Sequence, residues 1–480
     1  MRMPIRLFNS LTRQTEPLAT HEPGLVRMYH CGPTVYSSPH IGNFRSFLLA
    51  DFLRRTLEDQ GYRVRQVMNV TDVGHMTGDD EDRGEDRMEI AARREQLDPW
   101  AIARKYEAEF KDYLAKLHFR MPDVIPRATE HIAEMGAIID DLLKRGYAYQ
   151  VNGNVYFEIA RFPEYGKLSK KVLDDLEEGY RVEVRGEKKS GKDFALWKVD
   201  KKHIMQWDAP FAGGARGFPG WHIECSAMAM KHLGPVLDIH TGGEDNMFPH
   251  HECEIAQSES HTGKPFASMW LHVKHLMVEG QKMAKSQGNF TTVAQILEKG
   301  YSGLELRYAL MRVHYRQTLN FTMAGLDEAR VALQRVEGAR RRLVRIRDGV
   351  HPAGTQELTA PLAALHERFT TAICDDLNVS GALAIAFELV TKANKSLPSE
   401  RGAGAALELF DRMEAVLGCF GSTPIDADAG VSPHLQALLD RRQAARQAKD
   451  FATSDRIRDE LTRSGYKIVD TPHGPRLEQL

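Results

Sequence analysis

The first 75 residues alternate between apolar runs and turns in a way that predicts a parallel α/β fold. Residues 26–31 form a short apolar run that ends at a Gly-Pro-Thr turn. A second turn at 39–43 leads into apolar side chains at helical spacing, and residues 62–70 alternate and then stay apolar, as in a strand near the middle of a sheet. A strand, a helix and a second strand within about 45 residues indicate a sheet with helices packed against it.

The pattern changes farther along the chain. Residues 128–285 mix a helix near 130–146 with several short strands, whereas the chain after about residue 300 is predicted to be almost wholly helical. Two segments rich in turn-forming residues, 349–361 and 421–433, are interpreted as linkers around a helical unit of about 60 residues.

Composition places the chain among ordinary globular proteins. It has 480 residues, of which 42% are hydrophobic and 27% charged, and its net charge is −2. This length predicts about three domains. We see no apolar leader and no apolar run of transmembrane length. The five cysteines are odd in number and widely scattered, which indicates a reducing compartment, so we expect a cytoplasmic protein without a membrane partner.

An acidic run at residues 79–86 has two interpretations. Six of its eight side chains are carboxylates. A solvated surface loop is favoured over a metal-binding loop, since runs of like charge are usually solvated.

A second group of residues has the chemistry of a zinc site. Pro249 can open a helix, and His250 and Glu254 would then share one face at i and i+4. Imidazole and carboxylate at that spacing suit zinc, although a surface hydrogen bond has the same pattern. Cys31 and Cys225 each follow a strand-like run, where strand ends meet in an α/β sheet. Because Cys253 lies near the same helix face, it is a rival ligand on the residues alone.

Two further motifs suit phosphate groups. In residues 282–289, Lys282 and Lys285 stand three apart and are followed by Ser, Gln, Gly and Asn, which predicts a basic loop. In residues 39–43, Gly42 permits close backbone approach and the helix beyond favours an anion, while His40 can donate to a phosphate oxygen. Taken singly, each motif also fits an exposed turn or an ordinary histidine.

The order of the three motifs resembles the class I aminoacyl-tRNA synthetases, and within them the cysteinyl-tRNA synthetase family. The two general signatures stand here as His-Ile-Gly-Asn at 40–43 and Lys-Met-Ala-Lys-Ser at 282–286. The cysteine-specific likeness lies in MYHCGPTVY, GWHIECSAM and DNMFPHHECEIAQSE, and it continues to the C-terminus through DFALWK, HYR and ARQAKDFATSDRIRDEL. Asn43 replaces a histidine of the first signature and Ala284 a serine of the second, and both lysines are kept.

The resemblance implies a set of site residues. The zinc ligands would be Cys31, Cys225, His250 and Glu254, with Cys253 excluded. ATP would be bound by His40, Asn43, Lys282 and Lys285. The substrate pocket would include Thr71, Trp221, His240 and Asp245. The implied cofactors are one zinc ion per chain and Mg²⁺ with ATP, and the implied partners are L-cysteine, ATP and tRNA(Cys), bound by a monomer.

The resemblance also implies a domain order. A Rossmann-like, parallel-sheet, nucleotide-binding catalytic domain would span 1–300, with a connective insertion at about 115–215. A helical junction at 301–355 and an all-helical bundle at 356–420 would follow. A small anticodon-binding domain at 432–480 would end the chain.

Two other functions stay open at this point. A ligase that passes activated cysteine to an amino sugar would share the fold but lack the C-terminal parts. A zinc hydrolase would use Glu254 or Glu252 as general base, but it leaves the two phosphate motifs unexplained. A basic helical segment near the C-terminus suits an RNA backbone and favours the synthetase; its cations are Arg441, Arg442, Arg446, Lys449, Arg456 and Arg458.

Overall fold

The computed structural model describes residues 3–76, 85–171, 188–283, 290–421, 433–448, 450–463, 466–471 and 474–479. Its strands are β1 (Arg6–Asn9), β2 (Gln14–Pro17), β3 (Leu25–His30), β4 (Arg63–Met68), β5 (Ala148–Val151), β6 (Asn154–Phe157), β7 (Phe194–Lys198), β8 (Phe218–Pro219), β9 (Leu237–Gly243), β10 (Ala267–Val273), β11 (Leu276–Val278), β12 (Gln281–Lys282), β13 (Leu319–Phe321), β14 (Tyr466–Thr471) and β15 (Gly474–Gln479).

The α-helices are α1 (Ile41–Asp59), α2 (Arg87–Glu95), α3 (Pro99–Lys116), α4 (Ile132–Arg145), α5 (Trp221–Leu233), α6 (Glu252–Thr262), α7 (Val293–Glu298), α8 (Gly303–Met311), α9 (Met323–Arg347), α10 (Thr359–Cys374), α11 (Val379–Lys395), α12 (Glu400–Leu417), α13 (Pro433–Gln447) and α14 (Phe451–Arg463). Among the helices described, none combines the length and the apolar character needed to cross a membrane.

A parallel four-stranded sheet in the order β10-β9-β3-β4 forms the centre of the first part of the chain, residues 3–321. The chain passes from β3 outward to β4 through α1, and from β9 outward in the other direction to β10 through α6. The sequence order therefore reverses between β3 and β9. In open α/β sheets, ligands bind in the crevice beyond the carboxyl ends of the strands at such a point.

The predicted position of β4 near the middle of the sheet was wrong. β4 is an edge strand of this sheet, and residues 124–127 run beside it through bridges at Val67 and Val70. The amides of Met68 and Val70 donate to the carbonyls of Val124 and Pro126 at 3.1 and 2.9 Å. The second half of β4 is buried because this segment covers the edge that would otherwise be open, so its apolar run resembles that of a central strand.

Helix α1 begins at the first phosphate motif. His40 is its N-cap, and its side chain accepts from the Asn43 amide while the Asn43 side chain accepts from the His40 amide. This reciprocal arrangement is a capping box, which satisfies two of the amides that a helix N-terminus leaves unpaired. The predicted apolar face is buried against the sheet, including Phe44 and Leu48.

Two smaller sheets accompany the parallel sheet in this part of the chain. The antiparallel sheet β5-β6-β7-β8 lies in the chain between β4 and β9, and its strands form a second apolar core together with α4 and α5. The sheet β12-β11-β13 carries Lys282 on its outer strand.

The helical unit formed by α10, α11 and α12 packs directly on the part of the chain that contains the parallel sheet. Its apolar side chains continue the core that surrounds α1. The fully buried Arg307 of α8 donates to the carbonyls of Leu417 and Leu117 and to the Asp51 carboxylate. Breaking such a buried network is strongly destabilising, because it would leave a buried charge without its partner.

The second half is almost wholly helical, as predicted, and its described residues include three short strands. β13 lies at 319–321, and the chain beyond α14 forms the hairpin β14–β15. This hairpin and helices α13 and α14 have a small core of their own, made by Leu438, Ile457 and Leu461.

Candidate active site and metal centre

Cys31 lies at the carboxyl end of β3, in the crevice beside the point of strand-order reversal. A close approach between chain segments holds it there. A Cβ at Gly32 would lie 1.7 Å from the Asn69 carbonyl oxygen, so only glycine fits between the turn and the end of β4. The Gly32 amide also donates to Asn69 Oδ1 at 2.9 Å.

Helices, not strand ends, supply the other three side chains of the predicted zinc set. Cys225 is in the second turn of α5, which corrects the expectation that it follows a strand. His250 stands in the single turn Met247–His251 that leads into α6, and Glu254 is in the first turn of α6. The i, i+4 relation predicted from the sequence is present, with His250 Nε2 3.1 Å from Glu254 Oε1.

The structure brings these four side chains together. One ligand atom from each lies within 4.8 Å of the others, and all four residues are buried. The Cys31 Sγ is 3.9 Å from the Cys225 Sγ and 3.6 Å from Glu254 Oε1. The edges of a zinc tetrahedron measure about 3.8 Å between two sulfurs, about 3.6 Å between sulfur and oxygen and about 3.3 Å between nitrogen and oxygen. The donor set fits a zinc ion in both chemistry and spacing.

The electrostatics of the cluster also favour a cation. Burial raises the pKa of Cys31, and Cys225 and Glu254 raise it further. Burial opposes ionisation of Glu254, but His240 and His250 hold its pKa at about 2. Burial likewise opposes protonation of His250, but Cys225 and Glu254 raise its pKa to about 10. The neighbouring sulfurs and the Glu254 carboxylate thus favour protons on Cys31 and His250, and a divalent ion would take the place of those protons.

A second, overlapping set of ligand atoms shares this pocket. Cys31, His240, His251 and Glu254 also lie within 4.8 Å of one another. His251 Nε2 is 3.3 Å from the Cys31 Sγ, and its Nδ1 is 2.9 Å from His272 Nε2. Sequence reasoning missed His251 and His272. The adjacent histidines at 250–251 were the available signal, but their spacing does not show which one faces the sulfurs.

Cys253 belongs to neither set. Its Sγ lies 3.3 Å from the Tyr165 hydroxyl, in the core between α6 and residues 159–168. Glu252 is engaged by main chain, because the amides of Gly166 and Ser169 each donate to its carboxylate at 2.9 Å. Glu252 therefore anchors residues 166–169 and is not placed as a general base.

The four predicted pocket residues occupy different parts of this region. Thr71 is buried and donates to Glu224 Oε2 at 2.8 Å. Trp221 opens α5, and its ring centroid is 4.3 Å from that of His250. His240 is buried on β9, with Nε2 2.9 Å from Glu254 Oε2. Asp245 is in the short helix Glu244–Asn246 that follows β9.

An open pocket lies directly beside the cluster. Trp221 lines it together with the buried residues His75, Lys198, Phe218 and His222. His75 Nε2 is 2.8 Å from Glu224 Oε1, so Glu224 connects the pocket wall to Thr71. Sequence reasoning missed Glu224, although it stands beside Cys225.

The two phosphate motifs meet at the N-terminus of α1. The Ile41 amide donates to the Thr291 carbonyl at 3.1 Å, and a Cβ at Gly42 would lie 3.1 Å from the Met283 Cε. Lys282 is exposed on β12. Lys285 lies outside the described residues.

Most of the acidic run also lies outside the described residues, but its last two members do not. Glu85 is exposed and pairs with Arg93. Asp86 is buried, which contradicts the solvated interpretation for that residue. It caps α2 through the Glu89 amide and lies 2.5 Å from His203 Nε2, so it ties α2 to the loop before β8.

Comparison with known proteins decides the family. Residues 17–331 match the model described as the class I (C) catalytic domain of tRNA synthetases. A cysteine–tRNA ligase of Thermus thermophilus is 42% identical over 482 residues, covering 99% of both chains. The chain belongs to the cysteine–tRNA ligase family. The corresponding ligases of Chlorobium chlorochromatii and Anoxybacillus flavithermus are each 41% identical, with at least 98% of both chains covered.

The family match extends through the C-terminal half. Residues 368–421 match the DALR domain, and residues 428–474 match the anticodon binding domain of cysteinyl-tRNA ligases. Membership of this family removes the zinc-hydrolase hypothesis. It also removes the amino-sugar ligase, because the parts that such an enzyme would lack are present.

A solved structure supports the same fold. Methionyl-tRNA synthetase of Mycobacterium tuberculosis, determined with methionyl-adenylate, is 14% identical and has a TM-score of 0.54. The likeness covers 82% of this chain and 89% of that one. The expected class I catalytic fold with a helical C-terminal half is confirmed.

Proposed function

We propose that the chain activates L-cysteine with ATP and transfers it to the 3′ end of tRNA(Cys), with zinc selecting the substrate thiol. The cluster of Cys31, Cys225, His250 and Glu254 carries the proposal, because it places two sulfurs at the carboxyl edge of the sheet. The N-terminus of α1, where the two phosphate motifs meet, lies at the same edge. We propose that the enzyme acts as a cytoplasmic monomer.

Zinc would be held by these four residues. When bound, it would supply a soft Lewis acid that lowers the pKa of a coordinated thiol, so that substrate cysteine can bind as thiolate. Serine carries a far less acidic hydroxyl and matches a sulfur-rich site poorly. Pocket contacts alone distinguish so small a change by only about 10- to 200-fold. The donor set is therefore the selecting element.

The surrounding residues would orient this set. His240 holds one oxygen of Glu254, which leaves the other directed at His250 and Cys31. Trp221 packs on the His250 ring and fixes its plane. Such outer partners usually orient metal ligands and determine which ring nitrogen is available.

ATP would bind at the N-terminus of α1. His40 and Asn43 order the first turn, whose partial positive charge favours the triphosphate. The cysteine carboxylate would attack the α-phosphorus, and the bond to pyrophosphate would break. Lys282 and Lys285 would stabilise the charge on the departing pyrophosphate, together with the Mg²⁺ that accompanies ATP. A hydroxyl of the 3′-terminal ribose of tRNA would then attack the carbonyl carbon of the adenylate, and the acyl–phosphate bond would break with release of AMP.

The tRNA would also contact the small C-terminal unit. Helices α13 and α14 carry Arg441, Arg446, Arg456 and Arg458. Guanidinium groups on such a surface suit a phosphate backbone, and binding of this kind weakens as salt rises.

The direct test is pyrophosphate exchange into ATP with each amino acid in turn. We expect exchange with cysteine and far less with serine. Removal of zinc by a chelator should abolish it, and zinc should restore it. Equal exchange with serine, or full exchange by metal-free protein, would contradict the proposal.

A truncation separates activation from transfer. A chain ending at residue 421 should keep its exchange activity, because the small C-terminal core is separate from the main one. Its tRNA charging should fall sharply, with a smaller salt dependence of tRNA binding. The matched control ends at residue 355 and should lose both activities, since it removes the Leu417 carbonyl that binds the buried Arg307 and uncovers the apolar core that α10, α11 and α12 share with α1. Pyrophosphate exchange and thermal unfolding of both truncated chains are the measurements. Full tRNA charging by the chain that ends at residue 421 would refute the role in tRNA binding assigned to the C-terminal unit.

A further inference from the structure

The turn between α10 and α11 combines backbone strain with a buried charge. Asp376 and Leu377 have φ values of 50° and 54°, so two consecutive residues with side chains adopt left-handed conformations. Each costs free energy that the surrounding structure must offset. Both residues are almost fully buried. A loop that only joined two helices would not need this arrangement.

The strain is offset by contacts that leave the helical unit entirely. The Asp376 carboxylate accepts from the Phe8 amide at 2.8 Å, from the Tyr315 hydroxyl at 2.5 Å and from Arg316 Nε at 2.6 Å. Its own amide donates to the Arg6 carbonyl, and its carbonyl accepts from the His314 ring, both at 2.8 Å. All five contacts go to strand β1 or to residues 314–316.

Residues 314–317 in turn contact the elements that carry the two phosphate motifs. The Lys274 amide donates to the Tyr315 carbonyl at 2.8 Å, in the two-residue link between β10 and β11, and β11 pairs with β12 and Lys282. Arg45, in the first turns of α1, donates to the carbonyls of Gln317 and Lys274 at 2.7 and 3.2 Å. This segment therefore connects the hairpin that carries Lys282 to the helix that begins after His40.

We propose that Asp376 is a positioning residue for the ATP reaction. It acts through residues 314–317, which hold the Lys282 hairpin in register with the N-terminus of α1. The inference rests on the proposed function, because it assigns the same phosphate chemistry to these two elements. It adds a residue of the helical unit, distant in sequence, to the set that determines the rate of adenylate formation.

The charge of Asp376 is the testable element. Asp376→Asn keeps the size and the tolerance for a left-handed backbone, but its NH2 group would face either Arg316 or the donors of Phe8 and Tyr315. The matched control is Asp59→Asn. Asp59 also binds the helical unit, through two contacts with Arg412 at 2.9 and 3.0 Å, but at the far end of α1.

We expect the two variants to differ in kinetics. In cysteine-dependent pyrophosphate exchange, Asp376→Asn should lower kcat on the order of 10- to 100-fold, the loss that a displacement of about 1 Å can cause. Its KM for cysteine should change less than about threefold, because the zinc ligands are not displaced. Asp59→Asn should keep kcat within about twofold of the wild type.

A double-mutant cycle completes the test. If Asp376 acts through the hairpin, Asp376→Asn should cost much less in a Lys282→Ala background, whereas Asp59→Asn should be additive with it. Where the wild type is active, equal kcat in the two aspartate variants would overturn the inference. Additivity of Asp376→Asn with Lys282→Ala would overturn it as well. A wild type without cysteine-dependent exchange would instead overturn the proposed function. Zinc content and thermal unfolding of each variant identify a general loss of folding. If the lower kcat of Asp376→Asn is explained by a smaller folded fraction, the inference is also overturned.

Discussion

Cys225→Ser should lose bound zinc and, with it, cysteine activation. The hydroxyl is a much poorer zinc ligand than a thiolate, and the cluster would keep only one sulfur. Mutation of a residue that only orients a metal ligand typically lowers metal affinity or activity about 10- to 100-fold. Removal of a ligand should therefore lower them at least about 100-fold. Metal content per chain and pyrophosphate exchange with cysteine are the two measurements.

Cys253→Ser is the matched control for that variant. Both cysteines are 1% exposed and lie in the same apolar core on neighbouring helices. Both serine variants therefore suffer the same destabilisation from a buried hydroxyl, and they differ only in whether a zinc ligand is lost. His250→Ala and His251→Ala resolve the two overlapping ligand sets in the same way. Zinc that persists in the Cys225 and His250 variants but is lost from the Cys253 or His251 variant would refute the assignment.

Lys285→Ala should slow adenylate formation far more than it weakens cysteine binding. Its positive charge would act chiefly as pyrophosphate departs, so its loss affects the transition state more than the ground state. Loss of one preorganised donor typically costs about 2.7 to 4 kcal/mol, or about 100- to 1000-fold in rate. Single-turnover formation of the adenylate measures this directly.

Lys299→Ala provides the comparison, since it removes one positive charge from the exposed end of α7. A nonspecific effect of net charge would slow both variants equally. Adenylate formation near the wild-type rate in Lys285→Ala would exclude the proposed role of that lysine.

The sequence predicted the elements whose signals are local. β3 and α1 follow from an apolar run, a turn and an apolar helix face, all within 35 residues. The pairing of His250 with Glu254 follows from helical spacing alone. Their meeting with Cys31 was inferred from the family resemblance, since periodicity carries no information on which distant segments converge.

The errors have physical causes. α5 is buried on most sides and includes Cys225, Ser226, Ala227 and Ala229, so it lacks the polar face that marks a surface helix. The edge strand β4 has the apolar run of a central strand because residues 124–127 cover it. No sequence pattern marked Asp376, because its hydrogen-bond partners lie about 60 and 370 residues away in the chain.

The separate core of the C-terminal unit has a thermodynamic consequence. Among the described residues of this unit, the buried apolar side chains are Leu438, Leu439, Ala445, Ile457 and Leu461, and each of the larger ones contributes about 1.5–3 kcal/mol. The free energy gained by this burial is similar to the conformational-entropy cost of ordering a few residues. This unit should therefore unfold locally far more often than the catalytic half. A partner that binds only the closed form adds about 2.7 kcal/mol at 100 times its Kd. Bound tRNA would then determine what fraction of time this unit is folded, and amide hydrogen exchange within it would report tRNA occupancy.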